Sequence, residues 1–197
     1  MKMIPCYCNK EVEFDFPEEI DIAESPDTVD SIFDGSFMSV TCPYCGKVLK
    51  PEEPVRIFDS KGTLDINLVP ELRRNAFLSG RHRVASGTVA IGFPELAEKL
   101  AIYLAGLDEG TVEILKLPGI NRDSGSDIAI YFAGLETDSL VFHVHGLQPD
   151  KIGVTRISRD LYERTREALE KTDDPVYKEI KAPPYVSVRK IYREGIS

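Results

Sequence analysis

Cys42-Pro43-Tyr44-Cys45-Gly46-Lys47 is echoed near the start of the chain by Cys6-Tyr7-Cys8-Asn9-Lys10. Aligned on Cys8 and Cys45, Tyr7 matches Tyr44, Asn9 matches Gly46 and Lys10 matches Lys47. One step earlier the copies part, with Pro5-Cys6 standing against Cys42-Pro43. A Cys-x-x-Cys-Gly turn aims two sulfurs at one point. Proline after the first cysteine stiffens the turn, and glycine after the second accepts the positive φ such a turn requires. Asn9 holds the glycine's place in the first copy, and Asn is among the few other residues that enter the left-handed region. The pattern predicts two knuckles whose thiolates, Cys6, Cys8, Cys42 and Cys45, hold one structural zinc in a zinc ribbon. Lys10 and Lys47 then offset the two negative charges of a zinc tetrathiolate.

The swapped proline is the weak point. Cys6 and Cys8 stand two apart, so on a straight strand their side chains share a face. Both reach one ion only if the strand bends there, and strain is expected at Cys6. Two competing readings stand beside zinc: a metal-free ribbon with buried thiols, and a redox pair. All four cysteines fall in the first quarter of the chain. In a reducing compartment such clustering points to metal before disulfide. Four thiolates leave no open coordination position, which argues against catalysis at the metal.

Charge sharpens the picture. The chain has 197 residues and a formal net charge of −9. Residues 1–60 carry 5 Lys/Arg against 13 Asp/Glu, a net of −8, and the remainder is close to balanced. Nucleic acid is bound through cations that displace its counterions, so this end repels it. The expected partner is a protein with a basic surface. No long uncharged apolar run suggests a membrane span, and no apolar signal stretch opens the chain, so a cytoplasmic location is the default expectation.

Between the knuckles, Glu11 to Phe16 alternates charged and apolar residues, the mark of a half-buried strand. A polar acidic connection is expected through Asp34. Ser36 to Thr41 reads as a strand into the second knuckle, and Val55 to Phe58 as the strand closing a module over residues 1–60. Pro70 opens a short helix through Phe77 that Gly80 ends. Val84 to Ile91 is a strand. Pro94 to Leu104 is a helix with Leu96, Leu100, Tyr103 and Leu104 on its apolar face, and Asp108 caps the next. Ile128–Phe132 and Leu140–Val144 form a hairpin, Gly153–Ile157 adds a strand, and Ser158 caps a helix to about Lys171 whose inner face includes Leu161, Tyr162 and Leu169. The proline-interrupted stretch from Pro175 to Tyr192 is expected as a sheet edge. The fold class is α+β: an N-terminal zinc-ribbon-like β module, residues 1–60, and a mixed domain, residues 61–197, with an antiparallel sheet and two or three helices.

Other constellations offer less chemistry. His143 and His145 share a strand face with only His82 as a third histidine, too few for a convincing metal site. Arg73, Arg74, Arg81, His82 and Arg83 form the one dense basic cluster, either a solvated face pairing with acidic residues or a patch for RNA. No aromatic ladder for base stacking accompanies it. No phosphate loop, nucleophile elbow or HExxH motif occurs.

Three stretches together resemble the CpXC family, small prokaryotic proteins named for paired Cys-Pro-x-Cys motifs. They are the first knuckle; Ile32-Phe33-Asp34-Gly35-Ser36-Phe37 running into Cys42-Pro43-Tyr44-Cys45-Gly46; and Phe93-Pro94-Glu95-Leu96-Ala97-Glu98-Lys99-Leu100 with Gly106-Leu107-Asp108 and Val112-Glu113-Ile114-Leu115-Lys116. They span residues 4–116. The resemblance implies paired cysteine knuckles on one metal and implies no activity. The chain departs from the family's motif at Pro5-Cys6. The expected function is non-enzymatic: a zinc-stabilised protein-interaction or adaptor protein. The alternatives are an enzyme with a small-molecule or nucleotide substrate bound by the second domain, and an RNA-binding module using the cluster Arg73 to Arg83.

Overall fold

The alternation at Glu11–Phe14 becomes strand β2, which pairs antiparallel with β1, Lys2–Pro5, so that Ile4 faces Val12 and Pro5 faces Glu11. The computed structural model describes residues 2–120 and 128–191. Strand β3, Glu19–Asp21, precedes helix α1, Asp27–Asp34. The acidic connection expected here thus contains a helix. Asp27 and Asp30 sit in its first turn, where the N-terminal partial charge favours carboxylates. Val29, Ile32 and Phe33 recur at helical spacing, with Ile32 buried, and Gly35 closes the helix at φ 75°.

Strands β4, Val40–Thr41, and β5, Val48–Leu49, form the second hairpin. The strand expected from Ser36 is shorter. Phe37 and Met38 are buried in a turn, with Met38 at φ 54°. Strands β6, Val55–Phe58, β7, Asp65–Val69, and β8, Thr88–Ile91, join β3 in a four-stranded sheet of order β3-β6-β7-β8. The pairs β3/β6 and β7/β8 are parallel, and β6/β7 is antiparallel. Val55–Phe58 therefore lies inside this sheet rather than closing the ribbon. Ile57, Ile66, Leu68, Val69, Val89 and Ile91 are at most 2% exposed, and each such side chain contributes roughly 1.5–3 kcal/mol of burial. A 3₁₀ turn, Glu71–Arg73, leads into α2, Arg74–Leu78. Helix α3, Gly92–Leu104, follows β8 directly.

Helix α4, Glu109–Leu115, is capped as expected: Asp108 Oδ1 accepts from the Thr111 N–H at 2.8 Å. Strands β9, Ala129–Glu136, β10, Ser139–Gln148, and β11, Lys151–Ser158, make an antiparallel sheet of order β11-β10-β9. The Ser158 hydroxyl caps α5, Arg159–Leu169, by accepting from the Leu161 N–H at 3.2 Å. Ile102, Val112, Ile130, Phe132, Leu140, Phe142 and Tyr162 form one core cluster. Tyr162 and Leu169 are buried as the periodicity of α5 predicts, whereas Leu161 is 42% exposed.

Two further elements differ from the pattern. Leu104 of α3 is exposed while Ile102 is buried, and the helix also buries the charged Glu95, Glu98 and Lys99. The stretch from Pro175 forms helix α6, Pro175–Lys181, not a sheet edge, since Asp174 and Pro175 make a competent helix start. Tyr192, at the end of that expectation, lies outside the described residues. Residues 1–97 and 98–197 are two compact units. Among the described residues no helix is long and apolar enough to cross a membrane.

Candidate metal centre

Each knuckle is the turn of one β-hairpin. In the second, the Cys42 N–H donates to the Lys47 carbonyl at 2.8 Å and the Gly46 N–H to the Cys42 carbonyl at 2.9 Å. In the first, the Cys6 N–H donates to the Lys10 carbonyl at 2.8 Å and the Asn9 N–H to the Cys6 carbonyl at 2.9 Å. The bonds correspond, but the first turn closes with one residue fewer. Pro5 is the last residue of β1, paired with Glu11, and takes no part in the turn. CYCNK is thus CPYCGK shortened by its proline. Asn9 and Gly46 stand at φ 60° and 71°, the left-handed conformation expected of both. Cys6 and Cys8 converge because the chain leaves strand geometry after Pro5.

The shortening leaves the sulfurs together. The Sγ atoms of Cys6, Cys8, Cys42 and Cys45 all lie within 4.8 Å of one another. Cys6 Sγ is 3.6 Å from Cys45 Sγ, and Cys8 Sγ is 3.8 Å from Cys42 Sγ. Four thiolates around a tetrahedral ion bonded at about 2.3 Å would stand about 3.8 Å apart, so the donor set fits such an ion. All four are free thiols and none is in a disulfide. The first cysteine of each knuckle, Cys6 or Cys42, is buried, while Cys8 is half-buried and Cys45 exposed. Cys6 and Cys42 pack with Val12 and Leu49 in a small core flanked by Ile4 and Val40.

Metal-free, Cys42 and Cys45 are pushed in opposite directions. Burial pushes Cys42 up, but N–H groups of Tyr44 and Cys45 and the thiols of Cys6 and Cys45 donate to it, leaving it lowered to about 7. The Lys47 N–H draws Cys45 down, yet desolvation and the other three sulfurs carry it up to about 12. A bound cation relieves that mutual repulsion. The lysines also act across the centre. Lys10 Nζ lies 6.0 Å from the Tyr44 ring centroid and Lys47 Nζ 5.5 Å from that of Tyr7, each knuckle's ammonium over the other's ring.

Residues 4–116 match the family model described as CpXC protein. The chain belongs to the CpXC family. A protein of Treponema pallidum (strain Nichols), described as an uncharacterized protein, is similar to it, 24% identical over 220 residues that cover 99% of this chain and 100% of the relative. No solved structure matches. The CpXC region contains both knuckles, the four-stranded sheet, α3 and α4.

The other sequence candidates do not assemble. Among the described residues the four cysteines are the one group of three or more potential metal ligands brought within reach of each other. His143 lies opposite Tyr131 on the sheet face away from Phe142, and His145 meets the Tyr131 ring edge-on with centroids 5.6 Å apart. His82 packs on Phe77. In the basic cluster Arg74 pairs with Glu71 and, at 2.8 Å, with Glu95, while Arg73, Arg81 and Arg83 are exposed.

Proposed function

We propose that the four thiolates bind one zinc ion as a structural centre, and that this CpXC protein is a non-enzymatic interaction or adaptor module for a protein partner with a basic surface. The observation that carries the zinc reading is the closed donor set, two sulfurs from each hairpin at spacings suited to tetrahedral coordination. Four thiolates complete a zinc shell and leave no position for substrate. The small core around them has little apolar area of its own, so ion binding would supply folding energy there.

Two features support the partner reading. Tyr7 and Tyr44 flank the centre at 84% and 66% exposure, and tyrosine in such settings is typical of contact surfaces. Around them the first 60 residues carry a net of −8, which favours a basic partner and disfavours nucleic acid. Exposed pairs are worth only about 0–1 kcal/mol each, so the attraction steers contact more than it holds it. The experiment combines elemental analysis of protein purified under reducing conditions with photo-crosslinking from position 7 or 44 in native lysate. About one zinc per chain, and salt-sensitive crosslinks to a protein through its basic segment, are the expected results. Absence of metal, or iron in its place, overturns the zinc reading. Crosslinks to RNA, or none, overturn the partner reading.

A further inference from the structure

Helices α3 and α4 bury charge. Glu98 on α3, Glu113 on α4 and Lys116 just beyond α4 are each 4% exposed. Lys116 Nζ lies 2.7 Å from Glu98 Oε1 and 2.5 Å from Glu113 Oε1. Each carboxylate also accepts a backbone N–H from another element: Glu98 from Phe132 of β9 at 2.5 Å, Glu113 from Val188 at 2.8 Å. Val188 belongs to a buried C-terminal strap in which Tyr185, Ser187 and Val188 are 2%, 5% and 2% exposed. Lys99 of α3 holds the same strap, donating to the Val186 carbonyl at 3.1 Å, and pairs with Glu109 of α4.

One ammonium shared by two carboxylates leaves a net negative charge in the interior when both are ionised. Two backbone amides soften that charge without cancelling it. A single proton would balance the triad, and the buried Glu98 carboxyl is the group inclined to hold it. Burial above all pushes this carboxyl up; Lys116 opposes, and the nearby Glu113 adds to the rise, to about 7. Burial draws Lys116 down, but the two carboxylates outweigh it and keep the ammonium charged. Among the described residues, the charged groups facing Glu98 are Lys116 and Glu113; β9 contributes the Phe132 amide, and the strap reaches the triad through the Val188 amide.

We propose that Glu98, Lys116 and Glu113 form a proton-linked latch that fastens the strap, residues 185–188, onto α4. With a proton on Glu98 the triad is balanced and the strap closed; loss of that proton charges the interior and releases the strap more often. The inference is independent of the metal centre. Because Glu98 lies above its ordinary 4.5, its contribution to stability is full below that value and is lost as pH rises through about 7. Over this window the folded chain retains a proton that the unfolded chain gives up, so the opening equilibrium rises by up to about tenfold per pH unit.

The test uses the full chain and Glu98→Gln, observed by NMR between about pH 5 and about pH 8. Carboxyl-carbon spectra should show one glutamate titrating near the upper end of the window, absent in E98Q. Opening at the Phe132 and Val188 amides, corrected for intrinsic exchange, should steepen with pH in the wild type and flatten in E98Q. All glutamates titrating near ordinary values would overturn the proposal, as would the same pH slope in both proteins, or a high-titrating glutamate without change at Val188. Should E98Q fail to fold, the wild-type titration and amide opening decide between these outcomes.

Discussion

Lys47 of the second knuckle lies over the ring of Tyr7 in the first, Nζ to centroid 5.5 Å, and the contact is returned by Lys10 over Tyr44. The repeated Tyr-Cys-x-Lys is therefore an exchange across the sulfur cluster rather than two independent turns. Lys47→Met removes one ammonium from beside the thiolates and one cation–π contact worth about 0.5–1 kcal/mol. Metal affinity, measured by competition with a chromophoric chelator, should fall a few-fold, and Lys10→Met should do the same. Tyr7→Phe keeps the ring face and should be neutral.

Stripping the ion with a chelator should loosen the two hairpins, residues 2–14 and 40–49, whose shared core is Cys6, Val12, Cys42 and Leu49. Hydrogen exchange should show lost protection there, with residues 129–169 unchanged. Loss of protection throughout would show that the metal supports the whole chain as one cooperative unit.

Asn9 stands at φ 60° where the second knuckle has glycine. Asn9→Ala should cost about 1–2 kcal/mol, the ordinary penalty for a side chain in that region, read as a lowered melting temperature or weaker retention of any bound metal. Asn9→Gly should be tolerated.

Gly87, between α2 and β8, has φ 76°, and a Cβ there would stand 2.7 Å from the Asp65 carbonyl oxygen, a backbone atom. Gly87→Ala should destabilise residues 1–97 by roughly 2 kcal/mol or more in denaturant unfolding, since backbone strain and the clash with β7 act together.

The cysteine cluster was legible in the sequence because turn chemistry is local. Cys, Pro, Gly and Asn each state a conformational need, and the two copies state it twice. The caps at Asp108 and Ser158 were legible for the same reason. Helix α1 was obscured because its acidic residues read as solvated connection, although Asp27 and Asp30 are where a helix start favours them. The Glu98–Lys116–Glu113 triad was hidden more deeply. Glu and Lys on a helix ordinarily mark the wet face, and what buries these depends on the amides of Phe132 and Val188, supplied by residues far along the chain. The proline swap misled in another way: it looked like a damaged motif, and proved to be a turn contracted by one residue.

The sulfur cluster also has a topological consequence. Cys8 and Cys42 stand 34 positions apart in sequence yet 3.8 Å apart at their sulfurs. The intervening chain contains α1 and β3, and β3 is an edge strand held in parallel register against β6. Parallel pairing brings together residues distant in sequence and is slow to find by diffusion. An ion joining the knuckles would close that loop and shorten the chain path between β3 and β6, lowering the entropy cost of their meeting. Metal occupancy would thereby modestly favour completion of the four-stranded sheet.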